Sequence, residues 1–144
     1  MMKKPLLVII DDEPDNLDLL RYNFARRGYE VKTFIEVEKA WEFIKHTQPD
    51  MILCEGNHPG TEGLNLYEMM KQDTTLSQIP VVILSYHSEK IHISKALRDG
   101  AIDYIIKPVK AYELVNRIDH LLYQHLMIPG GSGDGGLREG TPTP

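Results

Sequence analysis

The chain has 144 residues, 42% of them hydrophobic and 26% charged, the size of one ordinary domain and the composition of a globular one, which argues against a two-domain enzyme and against a wholly disordered chain. With 16 Lys and Arg against 21 Asp and Glu, a formal net charge of −5, it lacks the basic surface that nucleic acid or an anionic membrane demands. A single cysteine, Cys54, excludes an intramolecular disulfide and a multi-cysteine zinc site and points to a reducing, cytoplasmic setting.

The first element is the apolar run Leu6–Ile10, read as a buried strand; two acids follow it at once and no small-residue cleavage site appears, so it is not a signal sequence. No apolar run approaches the roughly 20 residues that cross a bilayer. Pro14–Arg27 carries Leu17, Leu20 and Phe24 at helical spacing and ends at Gly28. Glu30–Phe34 alternates and fits a more exposed strand. Val37–His46 presents Ala40, Phe43 and Ile44; Met51–Cys54 is again continuously apolar; residues 63–71 carry Leu64, Tyr67 and Met70. Val81–Leu84 and Tyr104–Ile106 are two more short apolar strands, separated by a helix around Glu89–Arg98 that stops at Gly100, and a last helix runs from Ala111 to Leu126. After Met127 the composition changes: the last sixteen residues hold six of the eleven glycines and three of the nine prolines. Such a segment has little to bury, so residues 3–127 are expected to fold and 128–144 to form a flexible tail or linker.

Five strands alternating with five helices, four of the strands apolar on both faces, predict an α/β fold: a doubly wound parallel sheet with its site at the carboxyl ends of the strands. Past those ends stand Asp11 and Asp12 after the first strand, Glu55 after the third, Ser85 at the end of the fourth and Lys107 after the fifth. Adjacent carboxylates repel, so the cluster implies a compensating cation, and hard oxygen donors suit Mg²⁺. A hydroxyl and an ammonium facing such a site can neutralise the oxygens of a phosphoryl group.

The motifs VIIDDEP, PDMILCEGNHPGTEG, IPVVILS and DGAIDYIIKP, in this order, resemble the receiver domain of bacterial two-component response regulators, similar in extent to the single-domain chemotaxis regulator, over residues 5–125. The resemblance implies a flavodoxin-like (βα)5 receiver fold with strand order 2-1-3-4-5. It also implies that Asp11, Asp12, Glu55 and the Asn57 backbone carbonyl hold Mg²⁺, and that Ser85 and Lys107 contact the phosphoryl group. Ser85 and Tyr104 would switch, and Lys107 would precede a cis bond to Pro108. Its partners would be a sensor histidine kinase or histidine phosphotransfer protein, and a downstream protein docking on the fourth helix, fifth strand and fifth helix, where Ile91, Ile93, Tyr104 and Tyr112 are the apolar candidates. The function expected is that of a non-enzymatic phosphorelay module, either standing alone or joined through its tail to an output domain.

One position departs from the family. Where the phosphorylated aspartate belongs, this chain has Glu55, which reaches roughly 1.3–1.5 Å further. In-line transfer loses on the order of a hundredfold for a displacement of about 1 Å, so phosphorylation is expected to be impaired. Two readings stay open: Glu55 directs its charge at Ser85 and Lys107 and mimics an activated state, or it is a degenerate position in a scaffold, paired with Lys107. Tyr86, in place of a small residue, and His87 would line the mouth of the site, the tyrosine restricting access or competing with Tyr104 for space. Other residues have plainer readings. Asp12 before Glu13-Pro14 suits a helix cap, and Cys54 an inert buried thiol. His87 and His92 lack the spacing for one helix face and are expected to be merely exposed. A flavin-binding protein on this topology would want a phosphate-cradling loop where three acids stand, and a phosphatase an aspartate nucleophile.

Overall fold

The computed structural model describes residues 3–56 and 66–127. Within them run strands β1 (Leu6–Ile10), β2 (Glu30–Phe34), β3 (Met51–Glu55), β4 (Val81–Ser85) and β5 (Asp103–Ile106), and helices α1 (Pro14–Arg26), α2 (Val37–Thr47), α3 (Leu66–Lys71), α4 (Lys90–Asp99) and α5 (Ala111–Met127). All five strands pair in parallel, in the order β2-β1-β3-β4-β5. The predicted strands differ from the observed ones by one residue or none. The loop bearing Asn57, Pro59 and Gly63, the first predicted turn of the third helix, and the segment 128–144 lie outside the described residues.

Alternation along each strand sorts the apolar side chains onto two faces. Leu7, Ile9, Leu53, Val82 and Leu84 pack beneath α1 and α5, against Leu17, Phe24, Leu114 and Ile118. Val8, Ile10, Ile52 and Ile83 take the opposite face with Ala40, Ile44, Leu66 and Met70 from α2 and α3. Fully burying one such side chain stabilises the fold by about 1.5–3 kcal/mol, which is why these alternating runs dictate the layers. Helix α4 buries no residue and reaches the core only through Ala96, packed at its margin. The chain leaves α1 through Gly28 (φ 102°) and α4 through Gly100 (φ 124°), conformations in which a side chain would be strained.

One short element has no apolar period to announce it. A 3-10 turn at Leu76–Gln78 follows Asp73, whose Oδ1 accepts the backbone N–H groups of Thr75 (2.8 Å) and Leu76 (3.0 Å), an Asx-type turn leading into the element whose Leu76 enters the core.

Candidate functional site

Parallel register determines which residues meet at the carboxyl edge. Ile10 lies opposite Cys54, Glu55 opposite Leu84, and Ser85 opposite Ile106. The residues one step further, Asp11 and Lys107, therefore flank Glu55 and Ser85 on the same rim. Asp11, Glu55, Ser85 and Lys107 are the buried polar residues of the described chain, at 2%, 7%, 1% and 7% exposure.

Lys107 is the hub. Its Nζ lies 2.7 Å from Glu55 Oε1 and 3.2 Å from Asp11 Oδ2, with Glu13 Oε1 3.8 Å away on the open side. The bond to Asp11 is a well-formed hydrogen bond. The closer contact to Glu55 is off-axis: it is an ion pair in distance, yet Oε1 is buried without a hydrogen bond of good geometry. Asp11 is further held by the Glu13 N–H on Oδ1 (3.0 Å) and the Asn16 side-chain amide on Oδ2 (2.8 Å). Burial pushes the Glu55 carboxyl above its ordinary range, with Lys107 pulling the other way. Burial also works against the Lys107 ammonium, but the neighbouring Glu55 and Asp11 charges outweigh it and raise its pKa. The ammonium sits 5.0 Å from the centre of the Tyr86 ring, a cation–π contact. A cis bond joins Lys107 to Pro108, as expected.

The expectation for Asp12 as cap needs correcting. Glu13 stands at the N-cap of α1 and makes no side-chain cap bond, with Pro14 beginning the helix. The carboxylate that takes the Glu13 N–H belongs to Asp11, because that buried side chain points back along the helix entry while Asp12 is half-exposed. Glu13 and Asn16 are site residues that sequence reasoning passed over. The signal available was the acidic run itself, and an amide placed five residues after Asp11 on the first turn of a helix.

The hydroxyl side of the site is organised by one peptide. Ser85 Oγ accepts the His87 N–H (3.1 Å), and the Tyr104 hydroxyl donates to the His87 carbonyl (2.7 Å). His87 thus ties the strand-end hydroxyl to the tyrosine of β5. Tyr104 packs on the face shared with Ile83, whereas Tyr86 lines a cavity of about 120 Å³ with Leu84, Leu114 and Pro108 on the opposite face. The two tyrosines sit on different sides of the sheet, so Tyr86 does not compete with Tyr104 for space. Gly56 is needed here for room: a Cβ would come 2.9 Å from Ile83 Cγ2 and 3.0 Å from Ser85 Cβ. Cys54 is buried, its thiol pushed up to about 12 by burial, which fits an inert thiol.

The acids at this rim are the hard oxygen donors that Mg²⁺ prefers, but Glu55 Oε1 and Asp11 Oδ2 both face the Lys107 ammonium. Asp11, Asp12 and Glu55 are not drawn close enough together to share an ion as they stand, so an ion here requires these acids to close on it. Asn57, the expected backbone ligand, lies outside the described residues. No described helix is long and apolar enough to cross a membrane.

Comparison with known proteins agrees with this geometry. A family model described as the response regulator receiver domain matches residues 7–119. The phosphate regulon transcriptional regulatory protein PhoB of Pseudomonas aeruginosa is 32% identical over 116 residues, covering 81% of this chain and 51% of that protein. Its namesake from Rhizobium meliloti (strain 1021) is 29% identical over 118 residues, covering 82% and 52%. The chain spans about half the length of these two relatives. A solved response regulator from Desulfuromonas acetoxidans superimposes with a TM-score of 0.75 at 26% identity, covering 83% of this chain and 97% of the other. The parallel sheet in the order 2-1-3-4-5, its acid-lysine rim and these matches together place the chain in the response regulator receiver domain family, the receiver module of two-component signalling.

Proposed function

We propose that this receiver domain signals through protein–protein contacts from an arrangement that Glu55 and Lys107 hold in place of phosphorylation. The observation that carries the reading is the 2.7 Å approach of Lys107 Nζ to Glu55 Oε1 beneath the surface. The extra methylene of glutamate delivers carboxylate oxygen to the lysine, where a phosphoryl group on a shorter aspartate would offer its own. A phosphoryl group carries about −1.5 to −2 charge and a carboxylate one negative charge, so the mimicry is partial.

Under this reading Asp11, Asp12 and Glu55, with the Asn57 carbonyl, would hold Mg²⁺, whose charge offsets repulsion among the acids. Ser85 and Lys107 are the groups that would face a phosphoryl analogue. Ser85 and Tyr104 are the switch pair, and their shared bonding to the His87 peptide supports that role. The output surface would be α4, β5 and α5, where Ile91 and Tyr112 are 72% and 58% exposed; apolar groups held in water at this level suit a docking partner. Upstream, a histidine kinase or histidine phosphotransfer protein of the cytoplasm can dock without efficient transfer to Glu55.

A second reading, a pseudo-receiver scaffold, is favoured by one feature: Lys107 already bridges Asp11 and Glu55, so the rim's charge is partly neutralised with no ligand. The experiment that tests the proposal is incubation of the wild type and Glu55→Asp with acetyl phosphate and Mg²⁺, read by intact mass. The wild type is expected to remain unlabelled and Glu55→Asp to gain one phosphoryl group; stoichiometric labelling of the wild type at Glu55 would refute it. Failure of Glu55→Asp to label, with no response of Ser85 and Tyr104 resonances to Mg²⁺ and a phosphoryl analogue, would favour the scaffold.

A further inference from the structure

The loop between β4 and α4 folds a histidine back onto the first turn of the helix. His87 Nδ1 lies 3.8 Å from Glu89 Oε1, and His92 Nε2 lies 3.9 Å from the same oxygen. The two imidazole rings stand 4.9 Å apart at a tilt of 35°. The three donor atoms fall within 4.8 Å of one another, and all three residues are exposed. Sequence spacing hid this cluster, because His87 precedes the helix and reaches the site through the loop rather than along a helix face. The separations are too long for hydrogen bonds. Glu89, at the N-cap of α4, makes no side-chain cap bond, so its carboxylate is not committed to the helix end.

We infer that His87, Glu89 and His92 form a binding site for a borderline transition-metal dication, Zn²⁺ foremost. Two imidazoles and a carboxylate make a three-residue ligand set that leaves a fourth, solvent-filled position. Ligand bonds of about 2.0–2.2 Å around a tetrahedral ion bring donors to about 3.3–3.5 Å of each other, so the three side chains need only small, solvent-side rotations to close on the ion. Imidazole donors select against Mg²⁺, which demands oxygen, so this site is chemically distinct from the acid rim. Its position gives it a consequence: the His87 peptide carries both the Ser85 Oγ bond and the Tyr104 hydroxyl bond. An ion joining the His87 ring to the first turn of α4 fixes that peptide, and with it the link between the strand-end hydroxyl and β5.

The test is calorimetric titration of the full chain with Zn²⁺ in excess Mg²⁺, repeated with Co²⁺ to read tetrahedral coordination by visible absorption. One equivalent is expected to bind, with the His87 and His92 imidazole resonances shifting together. Loss of partners that merely orient ligands weakens metal sites by about 10–100-fold, so His92→Ala and Glu89→Gln, which remove ligands themselves, should each weaken binding at least about tenfold. His46→Ala, on α2, should leave the affinity unchanged. Absence of binding, or undiminished affinity in the His87→Ala/His92→Ala double variant, would overturn the inference. These side chains are exposed and their removal leaves the core intact, so the variants report on the site and not on folding.

Discussion

Replacing Lys107 with methionine isolates the electrostatics at the centre of the site. At separations of 2.7 and 3.2 Å, an effective dielectric near 20 gives gross attractions of about 6 and 5 kcal/mol. Desolvation of each ion, several kcal/mol, and repulsion between the two acids consume much of this. Losing the ammonium leaves Glu55 buried without a cation, and the side chain then has an escape: it takes up a proton. From an ordinary carboxyl value of 4.5, protonation at pH 7 costs about 3.4 kcal/mol and at pH 5 about 0.7 kcal/mol, at 1.36 kcal/mol per pH unit. The destabilisation is thus capped near 3 kcal/mol at neutral pH and falls below about 1 kcal/mol at pH 5. The sign follows from the direction of the shift: a carboxyl raised in the folded state favours folding most below its unfolded value, and that advantage disappears as pH rises through the folded one. Asp11 retains the Glu13 N–H and the Asn16 amide throughout. The assay is urea unfolding of wild type and Lys107→Met at pH 5 and pH 7, with Lys107→Met/Glu55→Gln as the paired control, which should recover most of the loss at pH 7. Equal destabilisation at both pH values would mean that methionine merely packs badly, and would refute the charge argument.

Further outcomes follow from neighbouring residues. Gly56→Ala places a methyl 2.9 Å from Ile83 Cγ2 and 3.0 Å from Ser85 Cβ, so it should cost about 1–3 kcal/mol in a denaturant titration and shift the Ser85 amide; an unchanged midpoint would contradict the packing described. Cys54, its thiol pushed up to about 12, should resist iodoacetamide at pH 8 in the native protein and react on unfolding; rapid native alkylation would show that β3 is open.

Much of this architecture can be read from residues, for reasons specific to each element. Runs such as Leu6–Ile10 and Val81–Leu84 are apolar on both faces, which only a covered parallel strand tolerates, and the polar residues that follow them, Asp11 and Ser85, mark the rim. The pairing of Glu55 with Lys107 follows from two strands separated by one neighbour with registers aligned. What escaped detection depends on short-range geometry without periodicity. The turn at Leu76–Gln78 is entered through one aspartate, Asp73, whose side chain takes the Thr75 and Leu76 N–H groups. Asp11, not Asp12, engages the entry to α1, since burial and not residue type decides which carboxylate turns inward. The convergence of His87 with His92 depends on a loop conformation that spacing along a helix does not encode. The separation of Tyr86 from Tyr104 onto opposite faces was within reach of strand parity alone: Tyr86 continues the Leu84 side, while Tyr104 pairs with Ile83.

The most direct test of the account compares amide and side-chain resonances of Ser85, His87 and Tyr104 in the wild type and in Glu55→Gln, with no phosphodonor present. If the glutamate charge holds the hydroxyl side of the basin through Lys107, neutralising it should move all three residues together and loosen the His87 peptide in hydrogen exchange. Resonances and exchange rates that are the same in both proteins would contradict the claim and leave Glu55 a passive occupant of its position.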